Sequence, residues 1–173
     1  PAALYGAVFS GQLRTLFAQS MSPGEILGRA NSSLITRYQV SNFIAVACLQ
    51  MQPQRGACVL SNGGMPLPYL VRGGEVTRLQ VSGVQLGLLE ETFYDELPFQ
   101  LEVGDLLVLA SDGATDAMNP AGNMYEEHRF IECIRRHASE GARQLTQSLY
   151  QAICEFSQSA DVNDDITILA LRR

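Results

Sequence analysis

The sequence predicts an α+β protein whose strands are mostly antiparallel neighbours, and three observations lead there. Two segments of helical period open the chain. Five or six short apolar runs of strand character follow in one block, and two more helical segments precede a closing apolar run. Strands gathered together, rather than alternating with helices, argue against a βαβ repeat and its parallel sheet.

Taken in order, residues 1–19 carry Leu4, Val8, Phe9, Leu13, Leu16 and Phe17 at mixed three-to-four spacing. Pro1 is tolerated in a first helical turn, so a helix is expected. Ser22-Pro23-Gly24-Glu25 is a capping-box pattern, with Ser22 as N-cap, Pro23 at the first helical position and Glu25 reaching back. Ile26, Leu27, Ala30, Leu34 and Tyr38 continue one face of that second helix. Phe43–Leu49 is apolar on both alternating faces, as expected of a central strand covered on each side. Ala57–Ser61 is its expected neighbour after a turn over Pro53–Gly56. Tyr69–Arg72 and Glu75–Gln80 flank Gly73-Gly74, a short-hairpin signature. Phe93–Gln100 and Leu106–Ala110 follow, separated by a Gly104-Asp105 turn. From Asp112 to Asn123 the composition is that of an irregular surface loop. Phe130, Ile131 and Ile134 mark a third helix and Leu145, Leu149, Ala152, Ile153 and Phe156 a fourth. Ile166–Leu171 closes the chain as a buried strand.

Composition narrows the function classes. With 46% hydrophobic and 17% charged residues the chain is too apolar for intrinsic disorder, and 173 residues suffice for one core, so a single domain over 1–173 is expected. Twelve basic against eighteen acidic side chains, a net charge of −6, argue against a partner that tracks nucleic-acid phosphates and favour cations. Cys48, Cys58, Cys133 and Cys154 lack zinc-ligand spacing, which points to a reduced, cytoplasmic setting. No apolar stretch approaches the ~18 residues of a membrane span. Phosphate-loop, dinucleotide, zincin and nucleophile-elbow motifs are missing, and His128 and His137 read as solvated helix residues.

The carboxylates are more informative. Asp112 directly follows the apolar run Leu106–Ala110 and Ser111, where the chain leaves the sheet, and Gly113 permits a close approach of backbone or ligand. Taken alone, an Asp-Gly pair is more often a turn capping its own backbone. Asp164-Asp165 precedes the apolar run Ile166–Leu169, and adjacent like charges are costly unless solvated or neutralised by a cation. Carboxylate oxygens are hard ligands suited to Mg²⁺ or Mn²⁺, and two of them half-fill such a site.

These residues resemble a known family. Ser111-Asp112-Gly113-Ala114-Thr115-Asp116-Ala117-Met118-Asn119 resembles the "TDGxTEaxn" segment of the SpoIIE/RsbU group of bacterial metal-dependent serine/threonine phosphatases, relatives of the type 2C enzymes. Gly122-Asn123-Met124-Tyr125 continues it, and Asp164-Asp165-Ile166-Thr167 resembles the terminal "DDxT". Asn62-Gly63-Gly64-Met65-Pro66 resembles "NAGHpP", and Gly87-Leu88 and Gly104-Asp105 resemble the "LG" and "GD" that lie between. Order and spacing match from Pro1 to Arg173.

The resemblance implies two antiparallel sheets packed face to face and flanked by helices. It implies two divalent ions, Mn²⁺ or Mg²⁺, holding a water that attacks a phosphoserine or phosphothreonine phosphorus in line. Asp112 and Asp164 would be metal ligands, with Asp165 orienting Asp164. The implied partner is a phosphorylated regulatory protein of the anti-anti-sigma (STAS) type, with sensor domains upstream. A "GDxxGxG" segment with a bridging aspartate normally ends just before a helix beginning "PAAL", where this chain starts, so residues 1–173 are expected to be the C-terminal portion of the domain, without its first strands and that segment. Weak or absent catalysis by these 173 residues is therefore expected, as is dimerisation or strand exchange. A pseudophosphatase acting as a binding module is the alternative. The opening helix pair is expected either to act as a partner-driven switch or simply to cover a sheet. Met65 stands at the histidine of "NAGH", and Glu126 where a glycine is usual.

Overall fold

The element order in a computed structural model of the chain, which describes residues 2–38, 43–158 and 164–173, follows the sequence pattern closely. Pro1 lies outside the described residues. Helices α1 (Ala2–Phe17) and α2 (Pro23–Tyr38) lead to strands β1 (Val46–Gln52), β2 (Ala57–Gly63), β3 (Tyr69–Arg72), β4 (Glu75–Arg78), β5 (Glu96–Gln100) and β6 (Leu106–Ala110). A single 3₁₀ turn over Asp112–Ala114, helices α3 (Glu126–His137) and α4 (Ala142–Ser157), and strand β7 (Ile168–Arg172) complete the chain. The strands form two antiparallel sheets, β1-β2-β5 and β4-β3-β6-β7. Backbone contacts divide the chain into two compact units, Pro1–Met65 with Gln80–Gln100 and Pro66–Leu79 with Leu101–Arg173.

In the first unit α2 packs on β1 and β2, and α1 packs on α2. Phe9, Leu27, Ala30, Leu34, Cys48 and Leu86 form the core. The capping box closes as its sequence dictates: the Ser22 amide donates to Glu25 Oε2 (2.9 Å) and the Glu25 amide to Ser22 Oγ (3.4 Å). The Gly24 amide, a further donor of the first turn, is taken by Glu96 Oε1 (2.7 Å) from β5. Asn31, 1% exposed, pins the loop after Leu86: its Nδ2 donates to the carbonyls of Leu89 (2.8 Å) and Glu90 (3.1 Å), and its Oδ1 accepts from the Gly87 amide (2.7 Å). Asn62 does the same for the following turn, with Nδ2 donating to Met65 O and Val81 O and Oδ1 accepting from the Met65 amide.

In the second unit α3 and α4 pack together, α3 against β4 and α4 against β7, over a core that includes Tyr69, Val108, Phe130, Ile134, Leu145 and Leu149. The β3–β4 hairpin turns on Gly73 (φ +56°) and Gly74 (φ +86°), the left-handed pair that a two-residue turn of this twist requires. Asp105, 3% exposed, anchors the turn into β6. Arg72 donates to both of its oxygens, the Glu102 amide donates to Oδ2 (2.7 Å), and Arg72 also reaches Glu102 (3.2 Å). Burial alone would raise the Asp105 pKa, but the Arg72 hydrogen bonds and the Glu102 amide hold it below the usual carboxylate value.

Three strand starts differ from the sequence expectation. β1 starts at Val46 rather than Phe43, because Ile44 makes an isolated bridge to Leu86 and Phe43 is exposed. Among the described residues β1 is also an edge strand of its sheet rather than a central one. β5 starts at Glu96, since Phe93 is 95% exposed. β7 starts at Ile168 because a side chain, Ser111, takes the Thr167 amide where the ladder would have continued. Cys48 and Cys58 are buried as expected, and burial, followed by Glu96 nearby, pushes the Cys48 thiol up to about 11. Among the described residues no helix is long and apolar enough to cross a membrane.

Candidate functional site

Both acidic motifs belong to the second unit, at the same end of neighbouring strands. β6 and β7 stay paired through Ala110 and Ile168, and the Ser111 amide then donates to Thr167 O (2.9 Å). Beyond that point a side chain continues the connection. Ser111 Oγ donates to Asp165 O (3.0 Å) and accepts from the Thr167 amide (2.9 Å). Gly113 completes the approach, because a β-carbon there would lie 2.6 Å from Asp165 O and 3.4 Å from Asp164 O. Glycine is needed here for close backbone approach rather than for a left-handed φ.

Asp112, Asp164 and Asp165 are all exposed. Asp112 and Asp164 are held in the same local manner. Asp112 Oδ1 accepts from the Gly113 amide (3.0 Å) and Asp164 Oδ1 from the Asp165 amide (2.8 Å). Each carboxylate is thereby tied to its own backbone by one oxygen, with no hydrogen bond to the other among the described residues. The Asp112 carbonyl accepts from the amides of Thr115 and Asp116 (both 2.9 Å), which closes the 3₁₀ turn. Among the described residues no group of three His, Cys, Asp or Glu comes close enough to hold a metal ion. Asp112 and Asp164 carry hard carboxylate oxygens, a donor type that suits Mg²⁺ or Mn²⁺, on segments whose backbones abut at Gly113.

The segment after the 3₁₀ turn, expected to be irregular, is an ordered narrow loop. Tyr125 N donates to Ala117 O (2.8 Å), Glu126 N to Thr115 O (2.8 Å) and Asn119 N to Asn123 O (3.0 Å), while Asn119 Oδ1 accepts from the amides of Ala121 and Asn123. The Asp112 turn is thus tied to the start of α3. Glu126 adopts φ +64° there, in the left-handed region where glycine rests without strain.

Sequence reasoning missed a polar cluster that joins β3 and β4 to α3. Tyr69 Oη donates to Glu127 Oε1 (2.7 Å), and Arg78 pairs with Glu127 Oε2. Burial first, then the bond to Glu127, raises the Tyr69 pKa and keeps the hydroxyl protonated. Residues 58 apart in sequence carry no local signal of this pairing. His128 is exposed, beside Glu126. His137 is half-buried, with Nδ1 2.9 Å from Glu140. Both lie on α3, as expected.

The model of the SpoIIE family, described as stage II sporulation protein E, matches residues 1–173. The chain belongs to the SpoIIE family. The phosphoserine phosphatase RsbU of Bacillus subtilis (strain 168) is 23% identical over 175 residues, all of this chain and 52% of RsbU. Stage II sporulation protein E of the same organism is 22% identical over 143 residues, covering 81% of this chain and 16% of that protein. The chain therefore spans about half the length of the first relative and far less of the second. Among solved structures, the SiaA-PP2C domain of Pseudomonas aeruginosa superposes with a TM-score of 0.83 at 21% identity, over 97% of this chain and 70% of that one. The RsbU and RsbW domains of Rv1364c from Mycobacterium tuberculosis give a TM-score of 0.77 at 20% identity, over 95% and 46%.

These likenesses establish the α+β fold with two antiparallel sheets and helices expected from the sequence. At Glu126, where the resemblance leads one to expect a glycine, the structure holds the residue at positive φ. At Met65 the polar work of the turn falls to Asn62, whose side-chain bonds to Met65 involve only its backbone.

Proposed function

We propose that the chain is most of the catalytic domain, its C-terminal portion, of a Mg²⁺- or Mn²⁺-dependent protein serine/threonine phosphatase. Its substrate would be a phosphorylated regulatory protein of the STAS type, in the bacterial cytoplasm and under the control of upstream sensor domains. One observation carries the reading: two aspartates 52 positions apart in sequence stand on abutting segments, each with one oxygen fixed to its own backbone. The phosphoserine phosphatase named among the relatives supports the reaction class. The resemblance of the motifs to the SpoIIE/RsbU group supports a partner of the STAS type.

In this reading Asp112 and Asp164 hold the cation, and Asp165 donates its amide to Asp164 and so orients it. A bound divalent ion supplies charge neutralisation for phosphoryl oxygens and a water of lowered pKa. The chain's own contribution is placement, with β6 and β7 as the rigid base. Two carboxylates make a weak site for an ion that gives up its waters reluctantly, so these 173 residues by themselves are expected to turn over slowly.

The test is hydrolysis of p-nitrophenyl phosphate and of a phosphoserine STAS-type protein, with and without Mn²⁺, by the chain and by a form extended at its N-terminus. Mn²⁺-dependent turnover by the extended form, lowered about a hundredfold or more by Asp112→Asn, is the expected result. A second reading, a pseudophosphatase that docks a partner, is favoured by the lack, among the described residues, of any group of three His, Cys, Asp or Glu able to hold a metal ion. Folded protein without metal-dependent turnover in either form would establish that reading instead.

A further inference from the structure

We infer that Ser111 is a positioning residue of the two-aspartate site, its hydroxyl clamping the Asp112 segment to the Asp164 segment and so setting how the two carboxylates face a shared cation. The inference rests on the metal-site reading above.

Each carboxylate is locked to its own backbone, Asp112 through the Gly113 amide and Asp164 through the Asp165 amide. Their mutual placement is therefore decided by whatever holds the two backbones together. Four elements do so: the end of the β6–β7 ladder, the backbone bond from Ser111 N to Thr167 O, the close approach at Gly113 and the Ser111 side chain. The ladder stops at Ile168, four positions after Asp164. The packing at Gly113 only limits approach and cannot prevent separation. Ile166 packs against the core and secures the depth of the segment, but apolar packing carries no direction.

Hydrogen bonds do carry direction, and Ser111 Oγ uses both of its capacities here. It donates to Asp165 O, 54 positions away in sequence, and accepts from the Thr167 amide, bracketing Ile166. With the backbone bond from Ser111 N to Thr167 O, one residue holds the segment that follows Asp164 at both Asp165 and Thr167. A threonine keeps the hydroxyl, whereas alanine leaves the Asp165 carbonyl and the Thr167 amide to water, with only the backbone bond from residue 111 N to Thr167 O still tying the segment to the Asp112 turn. The chemistry of position 111 is therefore hydroxyl chemistry, on a residue that needs no contact with cation or substrate.

The experiment measures two quantities on the 173-residue chain and its Ser111→Ala, Ser111→Thr, Asp112→Asn and Asp164→Asn variants. One is hydrogen exchange of the Thr167 amide in metal-free protein, followed by NMR. The other is binding of Mn²⁺ alone, followed by the electron paramagnetic resonance of the free ion. In Ser111→Ala, Thr167 exchange is expected to quicken about tenfold, with little change in the melting temperature. Mn²⁺ affinity is expected to fall about tenfold in the same variant, the lower end of what groups supporting metal ligands carry. Ser111→Thr restores both. Unchanged Thr167 exchange in Ser111→Ala overturns the clamp whatever the metal does. Faster exchange with Mn²⁺ affinity within about twofold of wild type shows a merely structural bond and overturns the positioning role. If instead Asp112→Asn and Asp164→Asn bind Mn²⁺ as wild type does, the metal-site reading itself fails, and the positioning role fails with it.

Discussion

Replacing Gly113 with alanine tests the closest backbone approach in the molecule's acidic end. An ideal β-carbon at Gly113 falls 2.6 Å from Asp165 O, 3.2 Å from Asp165 C and 3.4 Å from Asp164 O. All three are backbone atoms, and the segment that carries them is bonded to Ser111, so no flexible side chain can step aside. To reach ordinary van der Waals separation the two segments must part by roughly 0.8 Å, and overpacking of this kind costs about 1–3 kcal/mol. For a chain of this length about 2 kcal/mol corresponds to a melting temperature lower by roughly 4–8 °C. Thermal unfolding followed by circular dichroism reads this directly. Gly11→Ala serves as the internal contrast, since a β-carbon there, in the middle of α1, meets nothing within 4 Å. That variant should gain up to about 1 kcal/mol from helix propensity alone. A Gly113→Ala protein melting within about 1 °C of wild type would refute the claim that this glycine exists for close approach.

Asp105→Asn is expected to lower the melting temperature at pH 7 and to matter progressively less in acid. The folded carboxyl titrates below its unfolded value of about 3.9. Its contribution is thus complete above that pH and disappears as the pH falls through the folded pKa. Melting curves of wild type and variant from pH 7 down to about pH 2 should converge, and a constant gap would show that the loss is not electrostatic. Glu126→Gly should leave stability equal or raise it by up to about 1 kcal/mol, because a non-glycine residue in the left-handed region costs about that much. The Glu126–His128 pair that this variant removes joins two well-exposed side chains and contributes little. A fall in melting temperature beyond about 2 °C in that variant would contradict the strain argument.

Local chemistry made much of the fold legible in advance. The capping box at Ser22 and Glu25, the Gly73-Gly74 hairpin and the run Leu106–Ala110 formed where their residues put them, since each depends on bonds within a few positions or on burial of nearly every side chain. Where the expectation slipped, the cause was a distant partner. Phe43 and Phe93 are apolar yet exposed, and Ile44 pairs with Leu86 rather than entering a ladder. The loop after Asp112 looked irregular because its order comes from bonds between residues 115–119 and 123–126, spread over a turn that composition alone describes as unstructured.

Asp112 and Asp164 stood out in the sequence as hard-ligand residues beside apolar strands, and the motif order alone pointed to the family. Residue types and short spacings carry that information, because ligand chemistry and turn chemistry are properties of single side chains and their immediate neighbours. The tertiary structure decided what no local pattern encodes: that Gly113 lies against the Asp164 and Asp165 carbonyls, that Ser111 bonds across 54 positions, and that Arg72 neutralises a buried Asp105. Such pairings arise only when antiparallel strands distant in sequence come into register. Pairing is fixed by the burial of whole strands, and the polar groups at their ends meet as a consequence.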